Sequence, residues 1–197
     1  MKPNSPLSVT NVTYPRPIFL VGYMGVGKTT FGRALARATG REFIDLDFYI
    51  EQRFHRTVSQ LFAERGEEGF RLLESAMLRE AGEFDNVVVA CGGGTPCFSD
   101  NMDYMLSRGL TVHLTASEER LLDRLTAGGS RRPLVAGKSR EELRRFMRGH
   151  LASRLPHYSR AHIQFCGDEL ENVRQIDCSI SRFLANLPPI DDFIEQS

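Results

Sequence analysis

The chain has 197 residues, a length that fits one domain at about 100–200 residues per domain. It is 41% hydrophobic and 25% charged, with 17 glycines and 9 prolines, which excludes collagen, a coiled-coil rod and wholesale disorder. Its 25 basic and 25 acidic side chains cancel, so the overall charge gives no reason to expect a nucleic-acid partner. Residues 120–160 nevertheless carry eleven basic side chains against three acidic ones, a pattern typical of a solvated helix face.

The four cysteines give no sign of a zinc site. They are Cys91, Cys97, Cys166 and Cys178, with no C-x-x-C pair and no histidine at zinc-ligand spacing. We expect buried thiols in a reducing compartment. No apolar stretch approaches the ~18 residues of a membrane span, and residues 1–17 lack the apolar segment of a signal peptide. These features predict a cytoplasmic protein without a membrane partner, in which residues 1–17 form a loose lead-in.

Short apolar runs alternate with helical patterns along the chain. The runs predict buried strands at Ile18–Val21, Phe43–Leu46, Val87–Cys91, Leu110–Leu114 and Ile163–Cys166. The intervening patterns predict helices at residues 28–39, at 48–83 with breaks near Thr57 and Gly66, at 101–108 and at 173–187. Two capping boxes, at Thr115–Glu118 and Ser139–Glu142, predict further helices that end near Thr126 and Pro156. This alternation predicts an α/β fold, with a parallel sheet covered on both faces.

The first predicted strand is followed by a phosphate-binding motif. Residues 22–29, Gly-Tyr-Met-Gly-Val-Gly-Lys-Thr, fit G-x-x-x-x-G-K-[ST] between a strand and a helix. The glycines let backbone N–H groups face the phosphates of ATP, while Lys28 reaches the β- and γ-phosphates and Thr29 binds Mg²⁺. We expect ATP to contact Gly25, Val26, Gly27, Lys28, Thr29 and Thr30.

The motif narrows the class of protein. The alternative interpretation is a glycine-rich turn before a helix with an exposed lysine, but the flanking strand and helix argue against it. The chain has no N-K-x-D guanine motif and no D-x-x-G switch motif, and one small domain has no room for motor or transporter machinery. The sequence therefore favours an ATP-dependent kinase of a small acceptor.

Two further groups of residues follow predicted strands, as Asp45 and Asp47 follow the second strand and Gly92–Gly94 the third. Ligands of an open parallel sheet bind beyond the carboxyl ends of its strands, so both groups are expected beside the phosphate-binding loop. On an extended segment the two carboxylates would point the same way, one toward Mg²⁺ and one toward a substrate hydroxyl. A helix N-cap followed by a turn residue is the alternative, and spacing alone leaves both open.

Six segments in register resemble the motifs of the shikimate kinases. They are the phosphate-binding loop, Phe-Ile-Asp45-Leu-Asp47, Gly-Phe-Arg71-Leu-Leu-Glu74, Val-Val-Val-Ala-Cys-Gly92-Gly93-Gly94, Arg132-Pro-Leu134 and Arg154-Leu-Pro-His-Tyr158. The resemblance covers about residues 18–187 and implies a single domain with the fold of the nucleoside monophosphate kinases. That fold is a three-layer sandwich around a five-stranded parallel sheet, with an acceptor-binding region at about 48–75 and a lid at about 127–139. Residues 188–197 would form a tail.

The resemblance also implies the reaction, which is transfer of the γ-phosphoryl group of MgATP to the 3-hydroxyl of shikimate in aromatic amino acid biosynthesis. It assigns Lys28, Asp47 and Arg132 to catalysis, Asp45 to Mg²⁺ through a water, and Arg124 to adenine. The acceptor is assigned to Asp47, Arg71, Arg154 and Gly92–Gly94, with the two arginines on its carboxylate. Guanidinium groups suit this role because they bind a planar carboxylate through two parallel hydrogen bonds. Arg132 would reach the phosphates from the lid. A basic lid that closes over the triphosphate would also explain the basic side chains of residues 120–160.

Other interpretations remain open at this point. The same fold could serve a kinase of gluconate or of a nucleoside monophosphate, or an ATP-binding regulatory module without catalysis. Arg71 taken alone would be an exposed helix arginine that pairs with Glu67 or Glu74 at helical spacing. We expect a monomer with ATP and shikimate as its only partners.

Overall fold

The computed structural model describes residues 16–127 and 137–187. In these residues five strands form one parallel sheet in the order β2-β3-β1-β4-β5. The strands are β1 (Ile18–Val21), β2 (Glu42–Asp45), β3 (Val87–Ala90), β4 (Leu110–Thr115) and β5 (Ile163–Cys166). The predicted five-stranded parallel sheet is confirmed.

Helices follow each strand and pack on the sheet. They are α1 (Lys28–Thr39), α2 (Leu46–Phe54), α3 (Val58–Gly82), α4 (Asn101–Arg108), α5 (Glu118–Ala127), α6 (Arg140–Tyr158) and α7 (Val173–Ala185). The predicted breaks in the second helical segment are confirmed, since Thr57 caps α3 and Gly66 interrupts it with a φ of 68°. A short 3₁₀ turn, Thr95–Cys97, follows β3. In the described ranges no helix is long and apolar enough to cross a membrane.

The strand order places the ends of three strands side by side. β1 lies at the centre, where Ile18 pairs with Val88 of β3 on one side and with Leu110 of β4 on the other. All four residues of β1 and of β3 are buried, as expected for strands covered on both faces. Because β2, β3 and β1 are neighbours and parallel, the segments that follow them meet at one edge of the sheet.

Two helix boundaries differ from the prediction. The prediction of a capping box at Thr115 is wrong, because β4 continues through this residue. Thr115 pairs with Cys166 of β5, and its hydroxyl donates to Phe165 O at 3.4 Å. The box at Ser139–Glu142 is confirmed by hydrogen bonds in both directions. The same helix was expected to end near Pro156 but continues to Tyr158. Proline removes only one helical hydrogen bond, and Tyr158 anchors the last turn in the core.

The cysteines are less uniform than predicted. Cys91 is buried, whereas Cys166 and Cys178 are exposed, which contradicts the expectation of buried thiols throughout. The physical reason for Cys166 is that it lies on β5, an edge strand. Residues 1–15, most of the predicted lid with Arg132 (128–136), and the tail at 188–197 lie outside the described residues. The domain limits at residues 18 and 187 therefore stay predictions.

Most arginines of the basic stretch that the structure describes are paired. Arg140 lies 2.7 Å from Glu119, and Arg144 lies 3.0 Å from Glu118, so these ion pairs join α5 to α6. Arg148 adds a third contact to Glu118 at 2.7 Å. The local positive charge is thus largely compensated by neighbouring carboxylates, as the solvated-face interpretation predicted.

Helix α1 approaches the sheet closely at Gly32. A Cβ on this residue would lie 2.6 Å from Phe43 Cε2 and 2.9 Å from Leu20 Cδ1. We expect Gly32→Ala to lower the free energy of unfolding by about 1–3 kcal/mol, because the added methyl overpacks a buried contact. Gly149→Ala is the matched control, since that helical glycine has no atom within 4 Å of its Cβ position and should gain about 0.5–1 kcal/mol. Urea unfolding of both variants measures the difference, and equal stabilities would contradict the packing argument.

Candidate active site

A cavity of about 430 Å³ lies at the carboxyl ends of β1, β2 and β3. Its lining contains residues from all three of the segments that the sequence assigned to the site. They are Gly25, Gly27, Lys28, Thr29 and Thr30 after β1, Asp45 and Asp47 after β2, and Gly92 and Gly93 after β3, together with Arg124. The structure thus brings most of the predicted nucleotide residues to one cleft with Asp47, Gly92 and Gly93 of the predicted acceptor site.

The loop after β1 has the backbone of a phosphate cradle. Gly25 and Gly27 adopt positive φ angles of 85° and 100°, which a side chain would oppose. Gly27 is the N-cap of α1 and has no capping side chain, so the first N–H groups of that helix face the cavity. Lys28 Nζ lies over the loop and donates to Gly22 O at 2.7 Å and Tyr23 O at 3.0 Å. Val26 differs from its neighbours because its side chain is buried in the core rather than in the cavity lining.

Asp45 has two roles in this structure. One carboxylate oxygen, Oδ1, accepts from Phe48 N at 3.4 Å and caps α2. The other, Oδ2, accepts from Thr29 Oγ1 at 2.8 Å across the cavity. Of the two alternatives for Asp45 and Asp47, the shared extended segment is wrong, because α2 begins at Leu46 and places Asp47 in its first turn. The N-cap alternative therefore describes the backbone, although both carboxylates still line the cavity.

Asp47 has a perturbed acidity. Its accessible surface faces the cavity, where surrounding protein atoms replace much of the water around the carboxylate. This desolvation, together with the negative charges of Glu74 and Asp45, raises the pKa of Asp47 to about 6, while Lys28 opposes the rise. A carboxylate with a pKa near neutrality can exchange a proton at working pH.

Arg71 is held by a buried carboxylate. Its Nη1 lies 2.7 Å from Glu74 Oε2, and Glu74 is 1% exposed. Thr95 Oγ1 donates to the other oxygen of Glu74 at 2.6 Å. The alternative interpretation of Arg71, an exposed arginine paired with Glu67 or Glu74, is right about the pairing but wrong about the exposure, because the side chain is only 14% exposed. Its guanidinium occupies the space beside Gly94, where a Cβ would lie 2.7 Å from Cζ.

Arg154, on α6, packs against the glycine segment that follows β3. A Cβ on Gly93 would lie 3.1 Å from Arg154 Nη1. Arg71 on α3 and Arg154 on α6 therefore contact successive glycines of the segment after β3. Neither residue lines the 430 Å³ cavity itself, whose lining includes Gly93 but not Gly94. The two guanidinium groups therefore lie beside the nucleotide cavity, at the glycines that follow β3.

Arg124 lies at the other end of the cavity. Its Nη2 donates to Glu171 at 2.6 Å and to Gly167 O at 2.9 Å, and its Nη1 donates to Val26 O at 3.2 Å. Leu170 lines the cavity beside it. These contacts hold the planar guanidinium next to the loop that follows β1, where a planar base could stack on it.

Several residues of the site were not assigned from the sequence. Glu74 and Tyr158 were part of the quoted motifs but carried no role, since nothing in their spacing showed that they are buried. Thr95, Leu170 and Glu171 had no sequence signal. Thr95 matters because its hydroxyl completes the hydrogen bonding of Glu74.

The phosphate cradle, the paired carboxylates and the two arginines define an ATP-dependent phosphotransferase that acts on a small acceptor. A family model described as "Shikimate kinase" matches residues 24–185. The chain belongs to the shikimate kinase family, and its activity is ATP-dependent phosphorylation of shikimate.

Individual relatives agree with this assignment. A shikimate kinase of Phocaeicola vulgatus is 56% identical over 163 residues, which cover 83% of this chain and 93% of the relative. The crystal structure of shikimate kinase from Bacteroides thetaiotaomicron is 49% identical with a TM-score of 0.84, covering 87% of this chain and 98% of that one. The structure of the Acinetobacter baumannii shikimate kinase in complex with shikimate is 34% identical with a TM-score of 0.74, covering 88% and 93%. These matches favour shikimate kinase over the gluconate and nucleoside monophosphate alternatives.

Proposed function

We propose that this chain transfers the γ-phosphoryl group of MgATP to the 3-hydroxyl of shikimate, with the acceptor carboxylate bound between Arg71 and Arg154. The observation that carries the proposal is the convergence of these two arginines on Gly93 and Gly94, directly beside the phosphate cradle. Shikimate is a small anionic polyol, so a site that holds its carboxylate at one end presents its hydroxyls at the other. Two guanidinium groups held in place by the protein would bind the carboxylate end of shikimate.

The triphosphate would lie on the loop after β1, against the backbone of Gly25, Val26 and Gly27. The N–H groups at the start of α1 and the side chains of Lys28, Thr29 and Thr30 surround this position. Phosphoryl transfer has a loose transition state that needs little covalent help, so positioning and charge neutralisation provide most of the rate. A rigid cradle beside a rigid acceptor site supplies both.

Thr29 and Asp45 fit the requirements of Mg²⁺. Their oxygens are hard ligands and are already 2.8 Å apart at the cavity wall. Mg²⁺ is usually held by one or two protein oxygens together with waters and substrate phosphates, and Asp45 would act through such a water. Bound there, the ion would neutralise charge that develops on the phosphates. In the two described ranges no group of three or more histidines, cysteines and carboxylates could hold a metal ion.

Asp47 would accept the hydrogen bond of the attacking hydroxyl and take its proton. The raised pKa of about 6 brings the carboxylate close to the range in which a general base works best. Asp47 lines the nucleotide cavity, and a Cβ on Gly92 would lie 3.0 Å from its Oδ1 and 2.9 Å from Glu74 Oε1, so Asp47 is near both of the proposed substrate positions.

The remaining assignments are predictions from the family. Arg124 would pack on adenine, and Arg132, with the lid at residues 127–139, would reach the phosphates. The acceptor region at residues 48–75 and the backbone of Gly92, Gly93 and Gly94 would contact shikimate. A monomeric state and a cytoplasmic location also stay predictions.

The proposed reaction is tested by its product. ADP release from MgATP should depend on shikimate and should remain at the no-acceptor rate with gluconate or a nucleoside monophosphate. Phosphorus NMR of the product should show one phosphate ester at the 3-hydroxyl. A rate with shikimate equal to the rate without acceptor would contradict the proposal.

The carboxylate site predicts the behaviour of Arg71→Lys. Lysine keeps a positive partner for the buried Glu74, whereas alanine would leave that carboxylate unpaired and destabilise the fold. A single ammonium cannot reproduce the bidentate grip, so the KM for shikimate should rise about tenfold or more while the KM for ATP is unchanged.

The matched control for this prediction is Arg79→Lys, on the same helix. Arg79 also pairs with a carboxylate, Asp100 at 2.5 Å, but does not contact the glycine segment. Steady-state kinetics with each substrate varied in turn measure both variants. An unchanged shikimate KM in Arg71→Lys would exclude Arg71 from the acceptor site.

A further inference from the structure

The motif Arg154-Leu-Pro-His-Tyr158 contains an aromatic residue that the proposed reaction leaves without a role. Tyr158 is the last residue of α6, and it is fully buried. Its hydroxyl donates to Gly93 O at 2.5 Å. Arg154 lies against the same glycine, since a Cβ on Gly93 would be 3.1 Å from Arg154 Nη1. The Tyr158 hydroxyl and the Arg154 guanidinium thus meet at Gly93, a residue assigned to the acceptor.

The geometry of α6 explains this contact. Tyr158 follows Arg154 by four residues, so both lie on one face of the helix. The helix continues past Pro156, which is what brings Tyr158 into the core. The ring packs against His113 of β4 with the two ring centroids 5.2 Å apart. The hydroxyl is therefore fixed relative to the sheet rather than to the helix alone.

The two arginines differ in how they are held. Arg71 is fixed by the buried carboxylate of Glu74. Arg154 has no carboxylate within ion-pair distance in the part of the chain that the structure describes. Its positive charge instead acts on Tyr158, Tyr23, Cys97 and His150. Neutral neighbours leave the charge of Arg154 available for a ligand, while its packing against Gly93 restricts its direction.

We propose that Tyr158 is a positioning residue of the acceptor site, whose hydroxyl fixes the Gly93 backbone on which the Arg154 guanidinium packs and so aligns that guanidinium for the shikimate carboxylate. The inference rests on the proposed function, because Arg154 must bind that carboxylate. Tyr158 acts through Arg154 and does not itself touch the substrate. Its effect is on binding rather than on the chemical step, so it should appear in KM and not in kcat.

The test is the steady-state kinetics of Tyr158→Phe, which removes one oxygen and keeps the buried ring. We expect the KM for shikimate to rise about tenfold, because the Gly93 carbonyl loses the hydroxyl that donates to it. The kcat and the KM for ATP should stay within about twofold of wild type. Tyr104→Phe is the matched control, because its hydroxyl also donates to a backbone carbonyl, Arg79 O at 3.1 Å, away from the cavity.

A second probe separates positioning from stability. With a shikimate analogue whose carboxylate is reduced to a hydroxymethyl group, Tyr158→Phe and wild type should have equal KM values. A variant that only loosened the fold would lower the melting temperature and weaken both acceptors alike. An unchanged shikimate KM, or a rise that is as large for ATP, would overturn the inference.

Arg154→Lys distinguishes a failure of the inference from a failure of the proposed function. If Arg154→Lys leaves the shikimate KM unchanged, Arg154 does not bind the carboxylate and the proposed site is wrong. If Arg154→Lys raises that KM and Tyr158→Phe does not, only the role of Tyr158 is wrong. In the double variant the two effects should be less than additive, because the hydroxyl acts through the guanidinium.

Discussion

Replacing Lys28 with methionine is expected to lower kcat by about 10³-fold while the protein stays folded. The ammonium is the cation that the segment after β1 itself contributes to the cavity, and it lies over the loop carbonyls of Gly22 and Tyr23. Methionine keeps the length and apolar stem of the side chain but cannot stabilise charge on the transferring phosphoryl group. Coupled measurement of ADP release gives kcat, and circular dichroism with thermal unfolding reports the fold.

The control for Lys28→Met is Arg37→Met, which removes a cation from the exposed face of the same helix. Arg37 is paired with Asp177 at 3.5 Å, and its side chain is 73% exposed. That variant should keep wild-type turnover and stability, because an exposed pair of this kind contributes little. A Lys28→Met protein that retained a tenth of wild-type kcat would remove Lys28 from catalysis.

The nucleotide half of the site could be predicted because its signal is local. Residues 22–29 are contiguous, and the φ angles that the loop needs are available only to glycine at Gly25 and Gly27. A strand before the motif and a helix after it followed from hydrophobic periodicity. No long-range contact was needed to recognise the cradle.

The junction between β2 and α2 was mispredicted for an equally local reason. The run Phe43–Leu46 is apolar at three of its four positions and resembles a strand, but the Asp45 carboxylate can bond to Phe48 N. That N-cap starts the helix at Leu46, so the chain turns one residue earlier than the pattern predicts. Both carboxylates still line the cavity, because the first turn of a helix and the end of a strand occupy nearly the same place.

The acceptor half depended on contacts between distant residues. Arg71 with Glu67 and Glu74 at helical spacing is indistinguishable in sequence from a surface ion pair. Only the burial of Glu74, and its second bond to Thr95 in another segment, shows that this pair belongs to a site. Tyr158 was not assigned to the site either, since Pro156, two residues earlier, predicted the end of the helix.

Asp47→Asn is expected to lower kcat by about 10²–10⁴-fold, the usual contribution of a general base. Asparagine has nearly the same shape and can still accept a hydrogen bond from the acceptor hydroxyl, so the shikimate KM should change less than kcat. Lys28 and the arginines remain in place, and the fold should be retained. Asp177→Asn, at an exposed carboxylate on α7, is the control and should have wild-type kcat.

The pH dependence of kcat/KM in the Asp47→Asn and Asp177→Asn variants provides the sharper test of Asp47. Desolvation at the cavity wall raises the pKa of Asp47 to about 6, and a base works only when deprotonated, so the kcat/KM of wild type should fall below about pH 6 and level off above it. Asp47→Asn should lack that acidic limb, while Asp177→Asn should keep it.

Stability should change with pH in the opposite direction from activity. A pKa raised above its ordinary value means that the folded state binds this proton more tightly than the unfolded state does. The stabilisation from Asp47 is therefore complete below about pH 4 and is lost as the pH rises through 6. Asp47→Asn removes a partly desolvated charge, so it should unfold at a higher temperature than wild type at pH 8 and at a similar temperature at pH 4. An acidic limb that persists in Asp47→Asn, or a variant less stable than wild type at pH 8, would show that the charge on Asp47 is not the titrating group.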